Sequence, residues 1–181
     1  EDANAAYSAY QTGECQMIKD VPTEEIPSLK DSDDFHVEPI IGTYYLSLNL
    51  QKEPFNNKQV RQALAYALDL DTIVDTVFSG TGRKHDSFFT PQNEGYHPAN
   101  PETDKALLEY NPEKAKELLA EAGYPDGFTI KLWTNENQNR IDLAEILQNN
   151  WGAIGVKVDV SIMEFATLMA EYSKGIHEVV I

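Results

Sequence analysis

The sequence has 181 residues, 41% of them hydrophobic, 10% aromatic and 24% charged, which is one core-forming domain on the usual scale of about 100 to 200 residues. Its 30 acidic and 14 basic side chains leave a formal net charge of −16, a field that repels nucleic-acid phosphates and anionic membrane surfaces. The lone Cys15 excludes an internal disulfide, and no apolar run approaches the roughly 20 residues of a membrane-spanning helix.

Residues 1–41 read as a separate piece, with a short helix, a strand near residues 15–18 and an acidic turn at Asp31-Ser32-Asp33-Asp34. That turn begins like a calcium loop, but His36 stands where the loop needs Gly and Gly42 where it needs a bidentate Glu, so it reads as a solvated turn. Over residues 42–50, Tyr44, Leu46 and Leu48 alternate with Tyr45, Ser47 and Asn49, the pattern of a strand. Val60, Leu64, Ala67 and Leu68 define one amphipathic helix. A second carries Ile73, Val74 and Val77 toward Gly80, with Asp69 or Asp71 as its cap. Capping accounts for these acids without a metal. Residues 81–101 have no period and read as a long surface loop, a length that is often functional.

The last third carries the clearest pattern. Asn111-Pro112-Glu113 starts a helix over 112–122 that Gly123 stops. The turn Tyr124-Pro125-Asp126-Gly127 opens a strand over 128–134; Ile141, Ala144, Leu147, Trp151 and Ile154 then mark one helix face. Val156, Val158, Val160 and Ile162 alternate with polar residues as a strand with one buried face. Phe165, Leu168, Met169 and Tyr172 have helical spacing, and the run from His177 to Ile181 reads as the start of another strand. A strand needs neighbours and a following turn, so the sequence is expected to continue in a longer protein. The order strand, helix, strand, helix, strand predicts two successive βαβ crossovers and an α/β layer with a parallel core.

Candidate chemistry is sparse. His36, His85, His97 and His177 are scattered, with no metal-ligand spacing, and neither GxSxG nor HExxH occurs. Ser79-Gly80-Thr81-Gly82-Arg83-Lys84 lacks phosphate-loop spacing. Glu164 and Asp159 are the carboxylates an enzyme would use, but alternation turns Asp159 to solvent. Tyr44, Tyr45, Phe88, Phe89, Tyr96, Trp133, Phe165 and Tyr172 can line a cleft; burial statistics for large aromatics assign about two thirds of them to the core. Asn135, at the carboxyl end of its strand, is a further candidate, because open α/β sheets bind ligands beyond such ends.

Several segments carry a family resemblance. Gly42-Thr43-Tyr44-Tyr45-Leu46-Ser47-Leu48-Asn49, Pro54-Phe55-Asn56-Asn57 and the run from Val60 to Asp69 resemble the extracellular solute-binding proteins of peptide-type ABC transporters. Asn111-Pro112-Glu113-Lys114-Ala115, the run from Leu118 to Tyr124, Ile154-Gly155-Val156-Lys157-Val158 and Glu164-Phe165 with Gly175 are similar to later family segments, in order. The resemblance implies a type II periplasmic-binding-protein-like lobe with a mixed, largely parallel sheet flanked by helices. In that frame residues 1–41 are a returning segment of the first lobe and residues 42–181 are most of the second. It further implies a monomeric, non-enzymatic binder that needs no cofactor or metal, located outside the cytoplasmic membrane in the periplasm or as a lipid-anchored protein. Two lobes would close over a peptide and hand it to membrane permease subunits. Nickel, haem or a sugar is the alternative ligand class, and a sensing or chaperone-like module the alternative role. By the same resemblance, Tyr45 faces the cleft, Phe165 stands where an aromatic borders a side-chain pocket, and Tyr172 falls where oligopeptide binders can place an Arg. Gly42 stands where some members have a disulfide cysteine, which implies that the bridge is absent.

Overall fold

The computed structural model describes residues 3–38, 40–85, 87–104 and 109–181. In chain order it contains α1 (Ala3–Gln11), a 3₁₀ turn (Thr23–Glu25) running into α2 (Ile26–Leu29), β1 (Ser47–Leu48), α3 (Lys58–Tyr66), α4 (Leu70–Phe78) and α5 (Pro112–Glu121). There follow β2 (Phe128–Asn135), α6 (Gln138–Gly152), β3 (Val156–Met163), α7 (Phe165–Tyr172) and β4 (Val179–Val180).

Five helices begin on a side-chain cap that their sequences supply. Asn57, Asp69, Asn111, Asn137 and Glu164 each accept a backbone N–H from the first turn of α3, α4, α5, α6 and α7 respectively, each cap worth on the order of 1 kcal/mol. Asp69 is thus a cap, as expected.

The strands form one mixed sheet in the order β1-β4-β2-β3. Central β2 runs parallel to β3, from Phe128↔Val156 to Asn135↔Met163, and parallel to β4 through Leu132↔Val179 and Trp133↔Val180. The unit β2-α6-β3 joins neighbours, whereas β3-α7-β4 crosses to the other side of β2, so the expected α/β layer with a parallel core is present. β1 is antiparallel to β4, with Ser47↔Val180 and Leu48↔Val179.

The core lies on one face of this sheet. Ile130, Leu132, Val156 and Val158 pack with Ala144, Leu147 and Trp151 of α6, with Val60, Ala63 and Leu64 of α3, and with Leu118 and Leu119 of α5. Ile73 and Val77 of α4 form a smaller cluster with Leu143.

Four expectations are corrected. Residues 15–18 form no strand; Met17 is 84% exposed, and so short a run has no neighbour to pair with. The strand read over 42–50 is paired only at Ser47–Leu48, opposite Val180 and Val179, and Tyr44 and Tyr45 lie outside the ladder. Ile162 is 53% exposed, because burial fades toward the carboxyl end of β3, an edge strand with a neighbour on one side only. The fourth concerns the aromatics. None of the eight is buried: Tyr44, Tyr45, Phe88, Phe89 and Phe165 are exposed, and Tyr96, Trp133 and Tyr172 are half-buried. Aliphatic residues, Phe55 and Trp151 fill the core instead. The 81–101 loop has neither helix nor strand among its described residues; Asp86 lies outside them, as do Glu1, Asp2 and Pro39 of the 1–41 segment.

Candidate functional site

Three parallel strands bring Asn135 of β2, Met163 of β3 and Val180 of β4 to one edge of the sheet. β1 runs the other way, so the residues leading into it, Tyr44 and Tyr45, arrive at that same edge. This is where open α/β sheets take ligands.

The aromatic residues at this edge form a connected wall. Tyr45 meets Phe88 edge-on at 5.2 Å between ring centroids, and Phe88 meets Phe89 at 5.5 Å. The Thr43 hydroxyl donates to the Phe88 carbonyl at 3.2 Å, tying the 81–101 loop to the approach into β1. Tyr44 packs on Phe78 at 5.1 Å. The Arg140 guanidinium lies 5.9 Å from the Tyr44 ring and donates to Asn135 Oδ1 at 3.1 Å. Asn135 is thus linked through Arg140 to Tyr44, and Tyr45, the next residue, to Phe88. Phe165, 50% exposed, follows β3 by two residues at the start of α7, beside half-open Met169.

Tyr172 occupies a different position. It ends α7, about 10 Å along the axis from Phe165 at 1.5 Å per residue. Its hydroxyl shares a 3.1 Å hydrogen bond with the Ser47 hydroxyl, and its ring lies 4.6 Å from that of His177. Around it, the Asn49 amide donates to the carbonyls of Gly175 and His177, and the Lys52 ammonium donates to the Ile176 carbonyl. These bonds clasp the chain entering β4 against β1.

His177 is 8% exposed, with Nδ1 unpartnered among the described residues. Burial, with a smaller push from the Lys52 ammonium, holds its pKa below the ordinary 6.5. The unfolded chain therefore takes this proton first, so the fold is most stable above about pH 6.5 and loses stability as pH falls from there toward the folded pKa. Thermal midpoints should drop between pH 7 and 5, and His177→Gln should flatten that slope; coincident slopes would refute the assignment. Asp69 and Glu164, held low by hydrogen bonds from Thr72 and from the Ala166 and Thr167 N–H groups, act in the lower window below about pH 4.

The carboxylates of the enzyme alternative are otherwise engaged. Both Glu164 oxygens accept backbone N–H groups of α7, and exposed Asp159 pairs with Lys157 at 3.6 Å. The placement of Arg140 against Asn135 and Tyr44 is not visible from the sequence; a cation shortly after a strand's carboxyl end is the one cue it offers. Cys15 is a free thiol.

A mixed α/β sheet with its parallel strands ending at an open, aromatic-lined edge is the layout of a type II periplasmic-binding-protein lobe. The chain belongs to the bacterial extracellular solute-binding proteins of family 5, whose middle-region model matches residues 1–181. It is 33% identical over 186 residues to the dipeptide-binding protein of Escherichia coli K12, covering 99% of this chain and 34% of that protein. It is 35% identical over 192 residues to the glutathione-binding protein GsiB of Pectobacterium atrosepticum, covering 98% and 34%. The fold matches the periplasmic binding protein DppA of Helicobacter pylori in complex with the peptide STSA, with a TM-score of 0.81, 28% identity and coverage of 99% and 34%. The chain thus spans about a third of the length of these relatives.

Proposed function

We propose that this chain is the greater part of one lobe of the substrate-binding component of an ABC importer for peptides. Residues 42–181 form that lobe, and residues 1–41 return from the other. The protein works outside the cytoplasmic membrane, closes its lobes over the peptide by hinge motion and presents the closed form to permease subunits. It binds cargo and catalyses nothing. Tyr45, Asn135 and Phe165 contact the ligand; Tyr172 holds α7 against β1 beneath them.

The observation that carries this reading is the exposed aromatic wall. Tyr45, Phe88, Phe89 and Phe165 remain open at the carboxyl edge while the aliphatic core is closed. Aromatic rings give apolar contact at low ordering entropy, which suits ligands of varied side chain. The dipeptide, glutathione and STSA of the relatives are peptides, in keeping with such a wall.

Calorimetric titration of the intact polypeptide with free-carboxylate peptides of two to nine residues tests the proposal. Tyr45→Ala and Phe165→Ala should each weaken the tightest peptide about tenfold, as expected for an aromatic anchor worth roughly 1.4 kcal/mol. Tight binding of haem, nickel or a sugar with no peptide binding would replace the ligand class. Unchanged affinity in both variants would remove the aromatic wall from the site.

A further inference from the structure

The chain leaves α4 through Ser79, which at a φ of +46° is the one non-glycine residue among the described residues in the left-handed region. A Cβ is disfavoured there, and helices that end this way mostly use Gly. The end of α4 does not need the Ser79 side chain, because the Thr81 N–H and hydroxyl both donate to the Phe78 carbonyl, at 2.9 and 2.7 Å. The Ser79 hydroxyl instead donates at 3.1 Å to the backbone carbonyl of Thr23, 56 positions earlier. Strain held for a long-range polar contact points to a role beyond the helix end.

Thr23 is the first residue of the 3₁₀ turn that leads into α2, and it touches a second element. Its hydroxyl donates to Asn139 Oδ1 in the first turn of α6, a long bond at 3.5 Å. Both anchors stand at the mouth of the aromatic wall. Phe78, next to Ser79, packs on Tyr44 at 5.1 Å, and Asn139 directly precedes Arg140, shortly after the end of β2. Residues 1–41 thus meet the rest of the chain at the carboxyl edge through hydroxyl, amide and carbonyl groups. Among the described residues they share no core with it: buried Tyr7 and Ile26 belong to neither hydrophobic cluster of residues 42–181. A contact of this kind parts at little cost, since water replaces each bond and no hydrophobic cluster is opened.

We propose that Thr23, Ser79 and Asn139 form a latch across the mouth of the cleft, made when the two lobes close and parted when they open. The inference rests on the reading of residues 1–41 as part of the first lobe. The latch touches the opposite lobe and not the cargo, so it lengthens the life of the closed form by the same factor for every ligand. Such a device suits a binder of peptides whose own contacts differ from one cargo to the next. Its contribution falls on release, because closure follows docking. The left-handed penalty at Ser79 is present in both forms, whereas the hydroxyl bond exists only in the closed one.

The test uses the intact polypeptide, with release of several bound peptides of different length and side chain followed by stopped-flow chase. Ser79→Gly removes the hydroxyl and relieves the left-handed backbone. Its ligand-free thermal midpoint should hold or rise while every peptide leaves about two- to tenfold faster, the worth of one net hydrogen bond. Association rates should match the wild type. Thr23→Val keeps the carbonyl that Ser79 uses and removes the long bond to Asn139, and should quicken release by a smaller factor; unchanged release in this variant would strike Asn139 from the latch. Unchanged release in Ser79→Gly, with or without a fall in midpoint, would overturn the latch and leave the bond a fixed structural tie. A factor that varies from peptide to peptide would overturn it too, by making Ser79 a ligand contact. The underlying reading fails separately. Fluorophores on Lys30→Cys and Asp75→Cys, in a Cys15→Ser background, should change their separation on adding peptide. A separation that never changes would show that residues 1–41 and 42–181 move as one body, and a wild type that binds no peptide would remove the peptide reading itself.

Discussion

Truncation of Trp151 to Ala is expected to cost about 4 to 8 kcal/mol, a large share of the roughly 5 to 15 kcal/mol that stabilises a typical domain. Two losses combine. Trp151 is 1% exposed in the main cluster, between α6, α3 and the sheet, and emptying such a site costs about 3 to 5 kcal/mol. The second loss is a hydrogen bond that completes the end of α3. Of that helix's last carbonyls, Ala63 receives the Ala67 N–H, Ala65 the Leu68 N–H, and Tyr66 the Asn111 N–H at 2.7 Å. Leu64 receives the Trp151 indole N–H at 2.9 Å, in a buried position. Without the indole that carbonyl is stranded in the core, at about 1 to 3 kcal/mol. Trp151→Phe separates the two effects: it keeps most of the volume and should cost only the stranded carbonyl. Thermal unfolding of the intact polypeptide should show Trp151→Ala at least about 10 °C below wild type and Trp151→Phe between them. A Phe variant as stable as wild type would show that the indole bond contributes nothing.

What the sequence makes legible follows from the range of the interactions. Helix ends are local: Asn111, Pro112 and Gly123 lie within one stretch of chain, and α5 forms there between Asn111 and Ala122 as its two caps. The βαβ order is legible for the same reason, since each crossover is continuous in sequence. Strand length is less so. Residues 42–50 have the right alternation, but alternation does not say which of them meet a partner strand, and only Ser47 and Leu48 pair with β4.

The site divides along the same line. The position of Tyr45, Asn135 and Phe165 near the carboxyl edge is legible because a strand's carboxyl end and a family motif are both local marks. Burial of the other aromatics was misjudged because periodicity identifies a face without saying what covers it. Phe88 and Phe89 sit in a loop with no period, and a hydroxyl 45 residues away, on Thr43, ties that loop to β1. Arg140 is the extreme case: nothing near it in sequence reveals that its guanidinium will lie over Tyr44, 96 positions earlier.

Gly127→Ala should destabilise the chain by more than about 3 kcal/mol, although it adds one methyl group to a turn. Gly127 lies just before β2 and Gly155 just before β3, where the parallel ladder opens at Phe128↔Val156. The two backbones approach so closely that a Cβ on Gly127 would stand 1.8 Å from the Gly155 carbonyl oxygen and 2.4 Å from its carbon. Neither atom belongs to a side chain that can turn aside, so the clash is relieved only by parting the strands where they begin to pair. A φ of +74° adds the left-handed penalty of about 1 to 2 kcal/mol. Gly123→Ala is the control, because Gly123 has a φ of +93° with nothing within 4 Å of its added Cβ, and it should show the conformational penalty alone. The difference between the two thermal midpoints measures the close approach. Equal midpoints would mean that the β2–β3 start yields at no cost and that the tight contact does not hold the ladder in register.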